Sequence, residues 1–463
     1  MYRIFRHYIP KTLFMLGLAE ALILLASVYV GAAFVMMIGD DGGELISGRQ
    51  LHLQAALFAL AMVAMMTAMG LYQRDSREGP KAQLLRLVLS FAGGLIAIFC
   101  IWLMSPQLFI GGRAFGAALV ASFVGIASCR FLCVPRTDTR LSRRVLVLGV
   151  GHRALQISSL RRRSDRHGVT IVGFVDIGSE PVVVQGRKIF AAGDSLYELA
   201  AKYDVDEIVV AMDERRKCLP LHQVLECKMH GIRVIDEGSY LERQLGKIRL
   251  DALQPSSLVF GDGFTQAVLK PYSKRLFDIV VSLVLLVLVA PLMILTALAI
   301  YWESRGKGSI FYSQERVGQG KIFRVYKFRS MREDAEKNGA VWAKKDDDRV
   351  TRVGKFIRKT RIDELPQLYN VLRGDMSFVG PRPERPHFVQ QLANEIPYFE
   401  LRHHVKPGIT GWAQVCYPYG ASVDDAREKL QYDLYYLKNY SLFLDIMIIV
   451  QTLQVVIWGK GSR

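Results

Sequence analysis

The chain has 463 residues, too long for one average domain and closer in length to three. Hydrophobic residues reach 51% and charged residues 22%, too oily for an ordinary soluble enzyme and too charged for a bare membrane bundle. Near-average Gly and Pro, with 10% aromatics, exclude disorder and fibrous repeats.

Residues 1–133 hold ten Lys and Arg against six Asp and Glu, so most of the net charge of +17 lies beyond them. A basic soluble region beside a membrane meets anionic headgroups or phosphorylated substrates. No zinc spacing or basic-leucine repeat supports nucleic acid as a partner. The six cysteines are scattered without a CxxC pair, as expected of reduced thiols facing a cytoplasm.

Apolar stretches at 12–38, 51–72, 83–104 and 108–133 are each near or above the ~20 residues that cross a bilayer. The first is too long for a signal peptide and lacks a small-residue cleavage site, so it is expected to anchor the chain. Arg3, Arg6, Lys11, Arg74, Arg77, Lys81, Arg86 and Arg130 fall on one side. Only Arg49 and Arg113 fall on the other, beside the acidic turn Asp40-Asp41-Gly42-Gly43-Glu44. That asymmetry places both ends of a four-helix bundle, residues 1–133, in the cytoplasm. Glu20, inside the first span, reads either as a functional residue or as a bundle-facing polar residue near a helix end.

A basic linker, Arg136 to Arg144, leads into Val145-Leu146-Val147-Leu148, which reads as a buried parallel strand. It runs into Gly149-Val150-Gly151-His152-Arg153-Ala154, the GxGxxA form of a phosphate-binding turn at a helix start. A second strand, Val169 to Val175, ends at Asp176, placed to hold a ribose hydroxyl. Strands at 207–211 and 232–235 continue the alternation, giving a Rossmann-like α/β domain within 134–270. Gly149, Gly151 and Asp176 are its candidate cofactor-binding residues. The chain has no Tyr-x-x-x-Lys pair, so short-chain oxidoreductase chemistry lacks its proton donor and a structural or regulatory domain competes with a dinucleotide-using one.

Leu276 to Tyr301 is a 26-residue apolar stretch with one charge, Asp278. As a single helix it is roughly 39 Å long, enough to span. Lys274 and Arg275 precede it and Arg305 and Lys307 follow, so neither flank is the non-basic side. Pro291 removes a helical hydrogen bond inside it. These features predict a helix-break-helix over 276–301 that enters the cytoplasmic leaflet and returns; a fifth, proline-kinked span is the alternative.

From Ile310 onward the sequence is dense in cations and turns. Lys327-Phe328-Arg329-Ser330-Met331 follows a short predicted strand, Phe323 to Tyr326. After Asp346-Asp347-Asp348, the residues Arg352, Lys355, Arg358 and Lys359 fall on one helix face, either solvated or laid on acidic headgroups. In Thr360-Arg361-Ile362-Asp363-Glu364-Leu365-Pro366, Thr360 and Asp363 read as a capping box with Pro366 early in the helix. The same carboxylates also suit a divalent cation, with phosphates gathered nearby. Pro381 and Pro383 fix the backbone on either side of Arg382, presenting its guanidinium to a diphosphate. His387, His403 and His404 show no metal-ligand spacing.

Residues 273 to about 456 resemble the bacterial sugar transferase family, the polyprenyl-phosphate hexose-1-phosphate transferases. The likeness rests on the basic pair before the apolar segment, KFRSM, RKTRIDELPQLYNVLRGDMSFVGPRPERP and KPGITGWAQV, in that order. Four spans and a Rossmann-like domain ahead of them are similar to the large polytopic members. The ERP, IPYF and KPGITGWAQVCYPYG strings are similar to the branch serving exopolysaccharide, lipopolysaccharide and capsule systems. The resemblance implies a mostly helical α+β catalytic domain at 271–463, with a re-entrant helix and a C-terminal amphipathic helix, in the bacterial inner membrane and facing the cytoplasm. It implies that Asp363 attacks a UDP-sugar, that UMP leaves, and that undecaprenyl phosphate takes the sugar phosphate. Asp363 and Glu364 would hold Mg²⁺, and Lys327, Arg329, Arg358, Arg382 and Arg385 would bind phosphates. Membrane lipids, a homodimer and downstream glycosyltransferases are the expected partners.

There are departures from the family pattern: Ala290 stands before Pro291 where Ser is frequent, Asp348 where Pro is common, and Arg361 where Ser is common. Neither Asp348 nor Arg361 is expected to touch the Asp-Glu dyad. A nucleotide-sugar oxidoreductase or dehydratase working through Gly149 and Gly151, and a non-catalytic scaffold of polysaccharide assembly, are the competing functions.

Overall fold

A computed structural model describes residues 2–4, 7–9, 11–38, 48–72, 80–133, 142–160, 169–178, 180–191, 195–214, 218–251, 253, 264, 270–332, 349–417, 420 and 422–457. The acidic turn at 40–44, Arg6, Arg74, Arg77, the linker residues 136–141 and Asp346 to Asp348 lie outside them. Two compact units divide the chain, Met1–Ile4 with Tyr8–Leu245 and Phe5–His7 with Gly246–Arg463.

The first unit opens with four apolar helices: α1 (Lys11–Ile38), α2 (Gly48–Ala68), α3 (Pro80–Met104) and α4 (Gly112–Ser128). Helix α1 packs along α4 and α2, and α2 along α3. A hydrocarbon core offers no water to backbone amides, so such stretches are stable only as helices. Leu24, Val28, Met62, Met66 and Ile126 fill the space between them, while Leu22, Leu60, Ile96 and Val120 point outward. Glu20 is wholly buried. Arg130 Nη2 donates to its Oε2 at 2.8 Å, Arg130 Nε lies 2.6 Å from its Oε1, and the Tyr72 hydroxyl donates to Oε2 at 2.5 Å. Glu20 is thus the bundle-facing polar residue, an ionic tie between the first helix and the helical turn Cys129–Cys133 that follows the fourth.

The same unit holds a five-stranded parallel sheet: β1 (Arg143–Leu148), β2 (Val169–Val175), β3 (Ile189–Phe190), β4 (Glu207–Val210) and β5 (Arg233–Asp236), in the order β3-β2-β1-β4-β5. This is the doubly wound arrangement expected from the sequence. Val145 and Val147 pack on one face with Ala154, Ile157 and Tyr240, and Leu146 and Leu148 on the other with Leu196, Leu199 and Val224. Burial on both faces is why β1 reads as an unbroken apolar run.

The second unit begins at Gly246, earlier than the boundary at 271 expected from the sequence. Ile248 and Leu250 join the core formed by Val379, Leu434 and Tyr436, and Gly246 O accepts from Trp412 Nε1 at 2.7 Å. In the first unit, helix α5 (His152–Ser159) follows β1; in the second, α6 (Lys270–Glu303) is a long apolar helix. The chain stays helical through Pro291, so the predicted division into two helices is not observed. By length and composition α6 joins α1 to α4 as a fifth helix able to cross a membrane.

Both ends of α6 are tied to the same domain. Near its start, Lys274 Nζ lies 2.8 Å from Asp445 Oδ2, and Arg275 donates to the carbonyls of Val371 and Leu372. Near its end, Ile300 is buried with Phe328 and Ile357, and Glu303 Oε1 accepts from the amides of Arg352 and Val353. Between these anchors Val287 and Leu288 are 75% and 69% exposed.

After α6, an antiparallel hairpin, β6 (Phe311–Gly318) with β7 (Lys321–Phe328), extends well beyond the short strand predicted. Then follow α7 (Arg352–Lys359), a 3-10 turn (Ile362–Glu364), α8 (Gln367–Arg373) and a parallel pair, β8 (Ser377–Val379) with β9 (Gly408–Thr410). Two helices close the unit, α9 (Val423–Lys438) and α10 (Leu442–Ile457). The expected amphipathic C-terminal helix, α10, buries Leu444 and Ile448 in the domain core together with Asp445 and Gln454, and leaves Ile446 and Leu453 facing out.

Candidate active site

Thr360 does not start a helix. Its hydroxyl donates to the carbonyls of Phe356 and Ile357, closing α7, so the predicted capping box with Asp363 does not form. Arg361 then turns in the left-handed region at φ 61°, and the chain makes the 3-10 turn that carries Asp363 and Glu364. Both carboxylates are buried, and both line a cavity of about 690 Å³. Leu285 and Val289 of α6 and Val455 of α10 form apolar parts of the same wall.

The two acids have opposite surroundings. Glu364 Oε1 accepts from Lys327 Nζ at 3.0 Å and from Arg382 Nη2 at 2.7 Å, with Arg361 Nη1 at 3.7 Å. Burial opposes its charge, yet Arg382, Lys327 and Arg361 together hold the carboxyl well below the usual carboxylate range. Asp363 Oδ1 is buried with no hydrogen-bond partner. Burial, with the Glu364 charge added, pushes the Asp363 carboxyl up, while Lys327, Arg361 and Arg382 pull it back. Burial lowers the Lys327 ammonium, and Glu364 opposes that shift. Arg361 therefore does touch the dyad, contrary to the expectation from sequence.

The cations expected to bind phosphate are all on this cavity wall: Lys327, Arg329, Arg358, Arg382 and Arg385. They differ in what already holds them. Lys327 and Arg382 are paired to Glu364. Arg329 Nη2 donates to Lys307 O at 3.0 Å, and the Arg385 backbone begins the helix Pro386–Glu395. Gly380 brings β8 and β9 close enough to aim the Pro381-Arg382-Pro383 segment; a Cβ there would collide with Lys406 O.

A buried relay with no counterpart in the local pattern supports Arg382. Arg402 Nη2 donates to Arg382 O at 2.9 Å and lies 2.9 Å from Asp433 Oδ2. Asp433, near the middle of α9, is pushed up to about 6 by burial, against the pull of Arg402 and Lys429 and with the push of Glu384. Arg316 is bound to this side as well, donating to Pro383 O at 3.0 Å and lying 3.7 Å from Glu384. An acid 31 positions from its arginine offers no local signal.

Among the described residues no three His, Cys, Asp or Glu side chains gather to hold a metal. Mg²⁺ commonly takes one or two carboxylates and completes its octahedron with phosphate oxygens and water. The unpartnered Asp363 Oδ1 fits that use; Glu364 Oε1 is already taken up by two cations. Gly149, Gly151 and Asp176 lie in the first unit, in the loops at the C-terminal ends of β1 and β2.

Taken together, a helix long and apolar enough to cross a membrane, a buried acid pair and a cationic cavity fit a membrane enzyme for phosphoryl chemistry. The model of the bacterial sugar transferase family matches residues 269–459. Over 394 residues the chain is 31% identical to the UDP-glucose:undecaprenyl-phosphate glucose-1-phosphate transferase of Xanthomonas campestris pv. campestris, covering 80% of this chain and 79% of that protein. It is 44% identical over 238 residues to the UDP-N-acetylgalactosamine-undecaprenyl-phosphate N-acetylgalactosaminephosphotransferase of Aeromonas hydrophila, covering 51% of this chain and 55% of that protein. It is 33% identical over 347 residues to the undecaprenyl-phosphate glucose phosphotransferase of Komagataeibacter xylinus, covering 72% of this chain and 62% of that protein. The chain belongs to the bacterial sugar transferase family, the polyprenyl-phosphate sugar-1-phosphate transferases.

Proposed function

We propose that the protein transfers a sugar 1-phosphate from a UDP-sugar to undecaprenyl phosphate and releases UMP. The observation that carries this reading is the division of labour in the dyad: Glu364 is neutralised by cations, and Asp363 keeps a buried, unpartnered oxygen on the cavity wall. The Asp363 carboxylate attacks the β-phosphorus of the UDP-sugar. The bond from this phosphorus to the bridging oxygen breaks, UMP departs, and the sugar phosphate stays on Asp363. An oxygen of the acceptor phosphate then attacks the same phosphorus, and the Asp363 carboxylate is regenerated. Lys327, Arg382 and Arg361 hold the Asp363–Glu364 turn, and with Arg329, Arg358 and Arg385 they offset the charge on the phosphates. Asp363 and Glu364 would hold Mg²⁺, which would supply further charge neutralisation at the phosphates.

The attachment of α6 at both ends supports a re-entrant course: a helix that crossed the bilayer would carry its two ends to opposite sides. Its exposed middle, around Val287 and Leu288, is then the part that dips into lipid, and the exposed Ile446 and Leu453 of α10 face the same apolar surroundings. Such a seat at the inner-membrane surface, with the catalytic unit facing the cytoplasm, lets a soluble nucleotide sugar meet a lipid-borne phosphate. Downstream glycosyltransferases would extend the lipid-linked sugar into exopolysaccharide or capsule.

The test follows UMP release from a panel of UDP-sugars by purified membranes with Mg²⁺ and undecaprenyl phosphate, beside Asp363→Asn. Release that requires the lipid and disappears in the variant is expected. Release that survives in Asp363→Asn would overturn the nucleophile assignment.

A further inference from the structure

We propose that the ligand crevice of the Rossmann-like domain is closed by the chain's own carboxylates, so that the domain works without a dinucleotide. In a sheet of order β3-β2-β1-β4-β5, ligands enter beyond the strand ends where the order reverses, between β1 and β4. Here those strands run into Gly149-Val150-Gly151 and Ala211-Met212-Asp213. The two loops touch: Gly149 has φ 120°, and a Cβ on it would lie 2.7 Å from Ala211 O.

A pyrophosphate bound in this turn needs the free amides at the start of α5. All three are in use. His152 N and Arg153 N each donate at 2.8 Å to the two oxygens of Asp213, and Gly151 N donates to Glu180 Oε2 at 3.2 Å. Asp213 thus grips the helix start with both oxygens, where a phosphate would sit. Glu180 bridges the two loops, because its Oε1 accepts from Asp213 N at 2.5 Å and from Glu214 N at 3.2 Å. It is carried on a strap that is itself fastened: Val183 N and Val184 N donate to Val150 O, and Val184 is buried.

Space and charge agree with these bonds. A Cβ on Gly151 would meet both the Asp213 and the Glu180 carboxylates, so the glycine that usually admits a phosphate here admits side chains of the same protein. A diphosphate would have to displace two carboxylates while repelled by them. Asp176, expected to hold a ribose hydroxyl, instead turns one oxygen back to Gly178 N at 2.8 Å.

The test measures NADH and NAD⁺ binding to the full chain in nanodiscs, by NADH fluorescence and calorimetry. The wild type is expected to show no saturable binding up to about millimolar concentrations, set by the weak end of specific affinities. Asp213→Ser with Glu180→Gln, which frees the amides, is expected to bind at least roughly tenfold more tightly. Asp213→Asn, which keeps an acceptor oxygen but removes the charge, is the milder second variant. Saturable sub-millimolar binding by the wild type would overturn the proposal. So would a variant with an unchanged thermal transition that binds no better than wild type, since these carboxylates would then not be what closes the crevice.

Discussion

Replacing Glu364 by Gln removes one charge and leaves two cations facing an amide. The Glu364 side chain is 10% exposed and lies 2.7 Å from Arg382 and 3.0 Å from Lys327. Breaking a buried pair by removing one partner costs about 3–5 kcal/mol. Water reaches the Lys327 and Arg382 side chains, which favours the lower end, about 3 kcal/mol. For a unit of this size, that lowers Tm by roughly 6–12 °C. The loss depends on pH with a definite sign. In the wild type Glu364 stabilises the fold above the unfolded carboxylate range, and that support is lost as pH falls through its depressed folded value. In the variant, Lys327 loses the charge that raises it, leaving burial and Arg382 to lower it further. Between that folded value and the unfolded lysine value the unfolded chain binds more protons, so the variant gains stability as pH rises. Thermal transitions of the full chain in nanodiscs at pH 7 and pH 9.5 are expected to show a gap between wild type and variant that narrows at the higher pH. An equal gap at both values, or none, would refute the assignment of Glu364 as counter-ion to Lys327 and Arg382.

Asp433→Asn should remove an acid limb near pH 6 from the kcat/KM profile for UMP release, because below that value Asp433 is neutral and Arg402 loses the charge that fixes its hold on Arg382 O; the variant's profile should lie low and flat through this range. Glu20→Gln should destabilise the bundle by about 3–5 kcal/mol, seen as a lowered thermal transition, since Arg130 is left buried without its counter-charge. The double change Glu20→Leu with Arg130→Met should recover most of that loss. Gly149→Ala should cost about 3 kcal/mol through its φ of 120° and the approach to Ala211 O, read as a lower thermal transition of the first unit with UMP release unchanged below it.

Elements whose cause is local follow from composition and pattern alone. Long apolar runs must become helices in a medium without water, and the unbroken Val145 to Leu148 run needs cover on both faces, which only a doubly wound sheet supplies. The chemistry-bearing residues were legible too: Asp363, Glu364, Lys327, Arg329, Arg358, Arg382 and Arg385 share one cavity wall. Local pattern misled where two elements compete for one residue. Thr360 has the chemistry of a helix start, but its hydroxyl finds carbonyls one turn back and ends α7 instead. The alternation of β6 is similarly masked, because its inward positions carry Tyr312, Gln314 and Arg316 while Phe311 lies on the open face, so the hairpin exceeds the strand predicted.

The partners of the buried charges are set by the fold. Glu20 meets Arg130 110 positions away, Lys274 meets Asp445 171 positions away, and His152 meets Asp213 61 positions away. Arg361 became a neighbour of Glu364 because a left-handed residue turns the chain back on itself. The same GxGxxA turn that sequence assigns to a phosphate is filled by carboxylates from two other loops. The physical reason is one of range: secondary structure follows from steric and solvation preferences over a few residues, whereas the charge of a buried group is set by whichever distant groups the topology brings within a few ångströms of it.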